Sequence, residues 1–183
     1  MRKEKKAKVP VAALLENKLV MSKDFDYVLE HGYGKMAGAR LEISFAEALY
    51  LLEKGKISAR KLRKKLGFEQ LFEHCIGLDR RLHERYTVYK DLRERGLLVK
   101  TGFKFGSDFR VYSRGVKTVK RGPKTPMEHT KWVVYCVPED YTCSFQELSR
   151  AVRLAHSIRA KILWAIVDNE NDVTYYSITR ELL

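Results

Sequence analysis

Three side chains between residues 112 and 161 are of types that can cleave RNA without a metal ion. They are Tyr112, His129 and Lys161, and they lie in a stretch rich in arginine and lysine. RNA carries its own nucleophile, the 2′-hydroxyl, so cleavage needs a base for that hydroxyl, an acid for the departing 5′-oxygen and a cation for the crowded phosphorane. Cations beside a tyrosine favour its phenolate, which can act as the base.

Each of these residues also has an ordinary structural interpretation. A tyrosine near the end of a strand most often packs in a core, and an isolated histidine is more often structural than catalytic. Lys161 falls at the end of a predicted helix, where its charge would face the negative end of the helix dipole. His129 follows the predicted loop 116–128, and side chains at such a junction can reach a cleft. The residue types alone leave both interpretations open.

Other nuclease and hydrolase chemistries lack their motifs in this chain. A metal-dependent DNA nuclease needs clustered carboxylates, and the acidic residues here are scattered. No phosphate-binding glycine loop and no GxSxG elbow occurs. Asp108 is expected to be a structural hydrogen-bond acceptor rather than a base. The sequence therefore favours acid–base chemistry that needs no metal or other cofactor.

The charge of the chain predicts a polyanionic partner. Its 183 residues include 36 Lys and Arg against 23 Asp and Glu, a net charge of +13, which favours nucleic acid or an anionic membrane surface. No apolar run is long enough to span a membrane, and the basic N-terminus has no secretory signal, so a cytoplasmic protein is expected. The three cysteines, Cys75, Cys136 and Cys143, are expected to be free thiols, and a disulfide between Cys136 and Cys143 is the alternative for a hyperthermophilic source.

The pattern of elements predicts an α/β protein of two domains, residues 1–80 and 81–183. In the first domain, short strands precede a helix that Ser44 caps and Gly55 ends, and Ser58 is predicted to cap a second helix. The second domain is predicted to be a mixed sheet flanked by helices. One helix ends at Gly96, and another begins at Phe145, buries that residue and continues to about Lys161.

The last two predicted strands are joined by the acidic turn DNEND, which contains Asp168, Glu170 and Asp172. The turn has no EF-hand pattern, so it is not a recognisable calcium site. It is either a solvated hairpin tip or an acidic knob that docks into a basic pocket of another subunit. The sequence does not decide between these two.

Three segments resemble archaeal tRNA-intron splicing endonucleases. They are YKDLRERGLLVKTGFKFGSDFRVY, AHSIRAKILWAIVD and FAEALYLLEKGKI, and they run through most of the chain. The resemblance implies a C-terminal nuclease domain in which Tyr112 is the general base, His129 the general acid and a lysine the transition-state stabiliser. It also implies that the substrate is precursor tRNA folded as a bulge–helix–bulge, cleaved without metal to a 2′,3′-cyclic phosphate and a 5′-hydroxyl.

The same resemblance suggests RNA contacts and an assembly. Arg153 falls at a family position that helps to hold a bulge base by cation–π stacking. The loop after Tyr112 looks longer and more basic than in the simpler homotetrameric members, and its cations would contact phosphates: Lys117, Lys120, Arg121 and Lys124. One copy cannot span both bulges. The resemblance therefore implies a homotetramer, or a heterotetramer with a smaller structural subunit, with the acidic turn as the plug between dimers.

The chain departs from the family at the lysine. The family lysine directly follows S-x-R, and that slot is Ala160 here, with Lys161 one residue later. Either Lys161 performs the role, or the catalytic lysine is replaced by alanine. A non-catalytic RNA-binding or assembly subunit of the same enzyme is therefore the alternative, although Tyr112 and His129 are both present.

Overall fold

The structure is a computed structural model that describes residues 9–102, 106–118 and 129–181. The chain divides into two compact units, residues 1–79 and 80–183. Both combine helices with a mixed β-sheet, so the predicted α/β fold class is confirmed. No helix among the described residues is long and apolar enough to cross a membrane.

The first unit is a six-stranded sheet with three helices. Its strands are β1 (Val11–Leu14), β2 (Leu19–Met21), β3 (Lys35–Ala37), β4 (Arg40–Ile43), β5 (Ser58–Lys61) and β6 (Lys64–Leu66), in the spatial order β3-β4-β2-β1-β5-β6. The helices are α1 (Asp26–Glu30), α2 (Phe45–Glu53) and α3 (Phe68–Ile76). Only β1 and β5 pair in parallel, and the other described pairs are antiparallel.

The predicted cap of α2 is confirmed, and it also fixes a loop. Glu47 is 4% exposed, and its carboxylate accepts hydrogen bonds from the Ser44 amide at 2.9 Å and from the Gly34 amide at 2.8 Å. Gly34 has a φ of +65°, and a Cβ there would lie 2.7 Å from the carbonyl oxygen of Glu42. Glycine is therefore required where the loop meets the helix.

The prediction of a second helix in this unit is wrong, because residues 58–66 form a β-hairpin. Strands β5 and β6 pair antiparallel, and β5 also pairs in parallel with β1, with Val11 opposite Ser58. The Ser58 amide donates to the carbonyl of Pro10 at 2.9 Å, so this serine continues the sheet rather than capping a helix. Pairing with a distant strand overrides the local helix propensity of the lysines and arginines.

The second unit is a five-stranded mixed sheet between two helices, as predicted. The strands are β7 (Val99–Thr101), β8 (Phe109–Val111), β9 (Trp132–Pro138), β10 (Lys161–Val167) and β11 (Val173–Ile178), in the order β11-β10-β9-β8-β7. Helix α5 (Phe145–Ser157) packs on one face, where Ala151 and Ala155 meet Val133, Ile162 and Trp164. Helix α4 (Leu82–Glu94) packs on the other, with the rings of Tyr89 and Phe109 5.6 Å apart.

The predicted start of α5 is confirmed, but the predicted burial of Phe145 and the predicted end of the helix are wrong. Phe145 is 89% exposed rather than buried. The helix ends at Ser157, and Lys161 is instead the first residue of β10. The chain leaves the helix through Arg159, whose φ is +56°. The amide of Ala160 donates to the carbonyl of Ala155 at 2.8 Å, the six-residue bond of a Schellman motif.

All three cysteines are free: Cys75 and Cys136 are buried, and Cys143 is exposed. Burial, reinforced by the nearby charge of Asp79, raises the pKa of the Cys75 thiol to about 12. Burial also raises the pKa of Cys136 well above its usual value. Both therefore remain protonated thiols and pack as small apolar side chains.

Asp108 fastens α4 to the sheet, which confirms its predicted structural role. Its side chain is 4% exposed and lies 2.9 Å from the guanidinium of Arg81 and 2.7 Å from that of Arg85. It also accepts a hydrogen bond from the amide of Cys136 at 2.8 Å. One buried carboxylate therefore ties the first turn of α4 and strand β9 to the turn that leads into β8.

We expect Asp108→Asn to lower the free energy of unfolding by about 2 kcal/mol, because the neutral amide loses two charge-assisted contacts. The loss is limited because both arginines stay partly exposed and can be rehydrated. Denaturant unfolding measures it, with the exposed Asp140→Asn as the matched control. Equal midpoints for the two variants would contradict the role of Asp108.

Candidate active site

The strand register brings Tyr112, His129 and Lys161 to one edge of the second sheet. Val111 pairs with Trp132, and Trp132 pairs with Lys161, so the end of β8 and the starts of β9 and β10 are level. The amide of Lys131 donates to the carbonyl of Val111, and the amide of Lys161 donates to the carbonyl of Lys131, both at 2.9 Å. Tyr112 directly follows β8, and His129 lies three residues before β9.

The spacing of strands sets the scale of this site. With strands about 4.8 Å apart, the Cα atoms of Tyr112 and Lys161 are separated by two strand spacings, on the order of 10 Å. His129 lies two residues before the position opposite Tyr112, which places their Cα atoms roughly 8 Å apart. Side chains as long as tyrosine, histidine and lysine can meet one small group across such distances.

Tyr112 is buried and has an unsatisfied hydroxyl. Its side chain is 0% exposed, and its backbone amide donates to the carbonyl of Leu98 at 3.0 Å. Among the described residues, the hydroxyl has no hydrogen-bond partner. A buried hydroxyl without a partner costs free energy, and such groups occur at functional sites where a ligand completes them. His129 and Lys161, by contrast, are exposed.

The side chains at the two candidate lysine positions, 160 and 161, project to opposite faces of the sheet. Trp132 pairs with both Val111 and Lys161 in the last paired row, and continuing the same register by one residue brings Tyr112, Lys131 and Ala160 into the next row. Side chains in one row of neighbouring strands project to the same face, and adjacent residues of a strand alternate. The row of Tyr112 therefore contains Lys131 and Ala160, whereas Lys161 belongs to the row of Val111 and Trp132.

Lys131 is a cation of this site that sequence reasoning missed. It lies between Tyr112 and position 160 in the same row, and its Nζ is 4.3 Å from the centre of the Trp132 ring. The pattern HTKWVV could have indicated it, because a residue two positions before a buried Val133 shares the face of that valine. Its place in the row became evident only with the register of three strands.

The structure also brings Arg153 to the same end of the sheet. A groove of about 320 Å³ lies between α5 and the strands β10 and β11. It is lined by apolar residues and by four basic side chains, Arg153, His156, Lys161 and Arg180. Ala160 lies in its wall and packs against the core under α5. A groove of this composition suits a phosphate or a base stacked on a guanidinium.

The predicted phosphate-binding loop is described only at its start. Lys117 is exposed. Lys120, Arg121 and Lys124 lie outside the described residues. In the described part of the chain, no three His, Cys, Asp or Glu side chains are grouped so as to hold a metal ion.

The acidic turn is a tight hairpin loop between β10 and β11. The carboxylate of Asp168 accepts hydrogen bonds from the amides of Glu170 and Asp172, both at 2.9 Å. Asn171 adopts a φ of +68°. Glu170 and Asp172 are exposed. Asp168 therefore holds the shape of the loop, and the other two carboxylates are the ones presented to the outside.

Family models match both units of this chain. Residues 82–175 match the catalytic C-terminal domain of tRNA intron endonucleases, and residues 11–72 match the N-terminal domain of the same enzymes. The chain therefore belongs to the tRNA intron endonuclease family, as its sequence motifs suggested.

Curated relatives agree with this assignment. The tRNA-splicing endonuclease of Methanococcus maripaludis is 39% identical over 177 residues, which cover 94% of this chain and 96% of that protein. The tRNA-splicing endonuclease of Thermococcus onnurineus is 42% identical over 146 residues, 80% of each chain. The tRNA-splicing endonuclease of Nanoarchaeum equitans is 43% identical over 129 residues, 70% of this chain and 83% of that protein.

Proposed function

We propose that this protein is a catalytic subunit that cleaves precursor tRNA at bulge–helix–bulge motifs without a metal ion. Tyr112 removes the proton of the 2′-hydroxyl, and the resulting oxygen attacks the adjacent phosphorus. His129 gives a proton to the departing 5′-oxygen, and a lysine stabilises the phosphorane. The bond to the 5′-oxygen breaks as the bond to the 2′-oxygen forms. The products are therefore a 2′,3′-cyclic phosphate and a 5′-hydroxyl.

The observation that carries this proposal is the convergence of the three residues at one sheet edge. They come from three strands or strand ends that are not adjacent in sequence, and the register makes those ends level. The unsatisfied hydroxyl of Tyr112 is a second support, because a substrate 2′-hydroxyl would supply the partner it lacks. Since Tyr112 is buried, the proposal requires its surroundings to rearrange when RNA binds.

The second candidate is a non-catalytic RNA-binding or assembly subunit of the same enzyme. Ala160 favours it, because the row of Tyr112 has an alanine where the family resemblance implies a lysine. Tyr112 and His129 favour the catalytic subunit, since a subunit that only binds RNA has no need of an acid and a base at one sheet edge. We therefore propose catalysis, with Lys161 as the cation reaching in from the neighbouring row.

The purified protein is tested with a bulge–helix–bulge RNA in EDTA, followed by analysis of the new ends. We expect cleavage that leaves a 2′,3′-cyclic phosphate. The same RNA with 2′-deoxy nucleotides at both cleavage sites is the control, and it should remain intact because it lacks the nucleophile. Cleavage that requires a divalent ion, or that leaves a 3′-hydroxyl, would refute the mechanism.

Arg153 is proposed to stack on a bulge base, because it is exposed in the basic groove beside Lys161. We expect Arg153→Ala to reduce cleavage at low RNA concentration by roughly 5- to 30-fold, the equivalent of a stacking contact of about 1–2 kcal/mol. The rate with saturating RNA should change less. Arg150→Ala, one turn earlier on α5, is the control, and an equal loss in both variants would contradict a specific stacking role.

We also propose a tetramer, either of identical chains or with a smaller structural subunit, in which the acidic turn is the contact between dimers. The double variant Glu170→Gln and Asp172→Asn removes the outward charge and keeps the Asp168 bonds that shape the loop. We expect it to sediment as a smaller species at concentrations where the parent is tetrameric. The double variant Glu16→Gln and Glu30→Gln, which removes two exposed carboxylates from the first unit, is the control; unchanged sedimentation of the Glu170 and Asp172 variant would contradict the role of the turn as the contact between dimers.

A further inference from the structure

The hairpin of β5 and β6 concentrates positive charge on the first unit. Its strands are joined by only two residues, since Lys61 pairs with Lys64. The first residue of that loop, Leu62, has a φ of +55° and is 94% exposed. Residues 60–65 contain five cations and no acid, and all five are exposed: Arg60, Lys61, Arg63, Lys64 and Lys65.

The pairing of this hairpin places like charges directly opposite one another. Arg60 is opposite Lys65, and Lys61 is opposite Lys64. Like charges at such positions destabilise a hairpin. None of the five cations makes an ion pair within the described parts of the chain. An arrangement that opposes its own folding is expected where a bound polyanion compensates for the repulsion.

A concave surface lies beside these charges. The hairpin and helix α3 enclose an open groove of about 540 Å³. Lys61, Arg63 and Lys64 line it on the hairpin side, and Gln70 and His74 line it from α3. Cations together with neutral hydrogen-bonding groups are the combination that contacts nucleic-acid phosphates and sugars. The groove is therefore chemically suited to a nucleic-acid backbone.

We propose that this hairpin is an accessory binding surface for the phosphate backbone of a structured RNA, at a point outside the bulges that are cut. The inference rests on the proposed function only in that a precursor tRNA is the RNA to be bound. A precursor tRNA is much larger than one cleavage site, so it offers duplex arms beyond the bulge region. A backbone contact of this kind adds affinity without reading sequence.

The experiment compares two RNAs, both with 2′-deoxy nucleotides at the cleavage sites so that binding is measured without cleavage. One is a complete intron-containing precursor tRNA, and the other is a minimal bulge–helix–bulge. The triple variant is Lys61→Gln, Arg63→Gln and Lys64→Gln. The control removes three exposed cations away from the hairpin, Lys23→Gln, Lys35→Gln and Arg40→Gln, two of them on the strands β3 and β4 at the far side of the same sheet.

We expect the hairpin variant to bind the complete precursor at least roughly tenfold more weakly at moderate salt, with a salt slope smaller by about one for each lost phosphate contact. Binding of the minimal RNA should change by less than about twofold, and the control should bind both RNAs like the parent. The variant should unfold at the parent's midpoint or above it, because opposed like charges have been removed.

Several outcomes would overturn the proposal. The proposal fails if the hairpin variant loses the same affinity for both RNAs, or if it binds the complete precursor as the parent does. It also fails if the control variant loses as much affinity for the precursor as the hairpin variant. A changed sedimentation profile with unchanged RNA binding would instead assign the hairpin to contact with another protein chain. Cleavage of the unmodified minimal RNA by the hairpin variant is measured in parallel. If the parent cleaves nothing but the binding difference persists, the proposed catalytic function fails while the accessory surface stands.

Discussion

Tyr112→Phe is expected to slow cleavage of precursor tRNA in EDTA by roughly 10²–10⁴-fold, because it removes the proposed base and nothing else. The hydroxyl has no partner among the described residues, so its loss should leave the unfolding midpoint unchanged or raise it. A fall in rate without a fall in stability would separate a catalytic role from a packing role. Single-turnover cleavage and denaturant unfolding of the same preparation measure the two quantities.

His129→Ala should reduce the rate by a similar factor, since an alkoxide leaves poorly without a proton donor. RNA binding by both variants should remain near that of the parent, because each variant loses at most one of the many contacts that hold the RNA. Tyr27→Phe and His31→Ala, on the first unit, are the matched controls. Parental rates in both Tyr112→Phe and His129→Ala would reject the assignment of acid and base.

The second large effect concerns the position of the cation. Lys161→Ala is expected to lower the cleavage rate by roughly 10²-fold, in the range known for the loss of one group that stabilises transition-state charge. Ala160→Lys should raise the rate above that of the parent, because it places an ammonium in the row of Tyr112. The double variant, Ala160→Lys with Lys161→Ala, should cleave as fast as Ala160→Lys alone, because the ammonium at position 160 replaces the one at position 161.

Lys131→Ala separates this proposal from its nearest competitor. Lys131 is in the same row as Tyr112 but is held over the Trp132 ring, so we expect a loss of less than about tenfold. A larger loss from Lys131→Ala than from Lys161→Ala would transfer the role to Lys131. If Lys161→Ala and Lys131→Ala both cleave at the parental rate and Ala160→Lys adds nothing, none of these lysine positions supplies the cation.

The fold was predictable where local signals and tertiary contacts agree. Ser44 with Glu47 marks the start of α2, and continuous apolar runs mark β9 and β10. Residues 58–66 were predicted incorrectly because their lysines and arginines suit a helix, whereas their pairing partner, β1, lies more than forty residues earlier. Local propensity carries no information about such a partner.

The candidate site was predictable in its residue types but not in its geometry. The end of α5 was placed too late because Arg159 occupies the left-handed position where glycine is the usual signal. Without that boundary, residues 160 and 161 appear to lie on a helix, about 100° apart. They lie instead at the start of a strand, where neighbours point to opposite faces, and only the register of β8, β9 and β10 reveals that Ala160 shares a row with Tyr112.

The abrupt change from helix to strand at Arg159 has a consequence for how such subunits diverge. Because the left-handed turn at Arg159 sets the backbone just before both positions, exchanging the residues at 160 and 161 would move a positive charge from one face of the sheet to the other. Under the proposed mechanism, a single local exchange would then be enough to separate a copy that cuts RNA from a copy that only binds it.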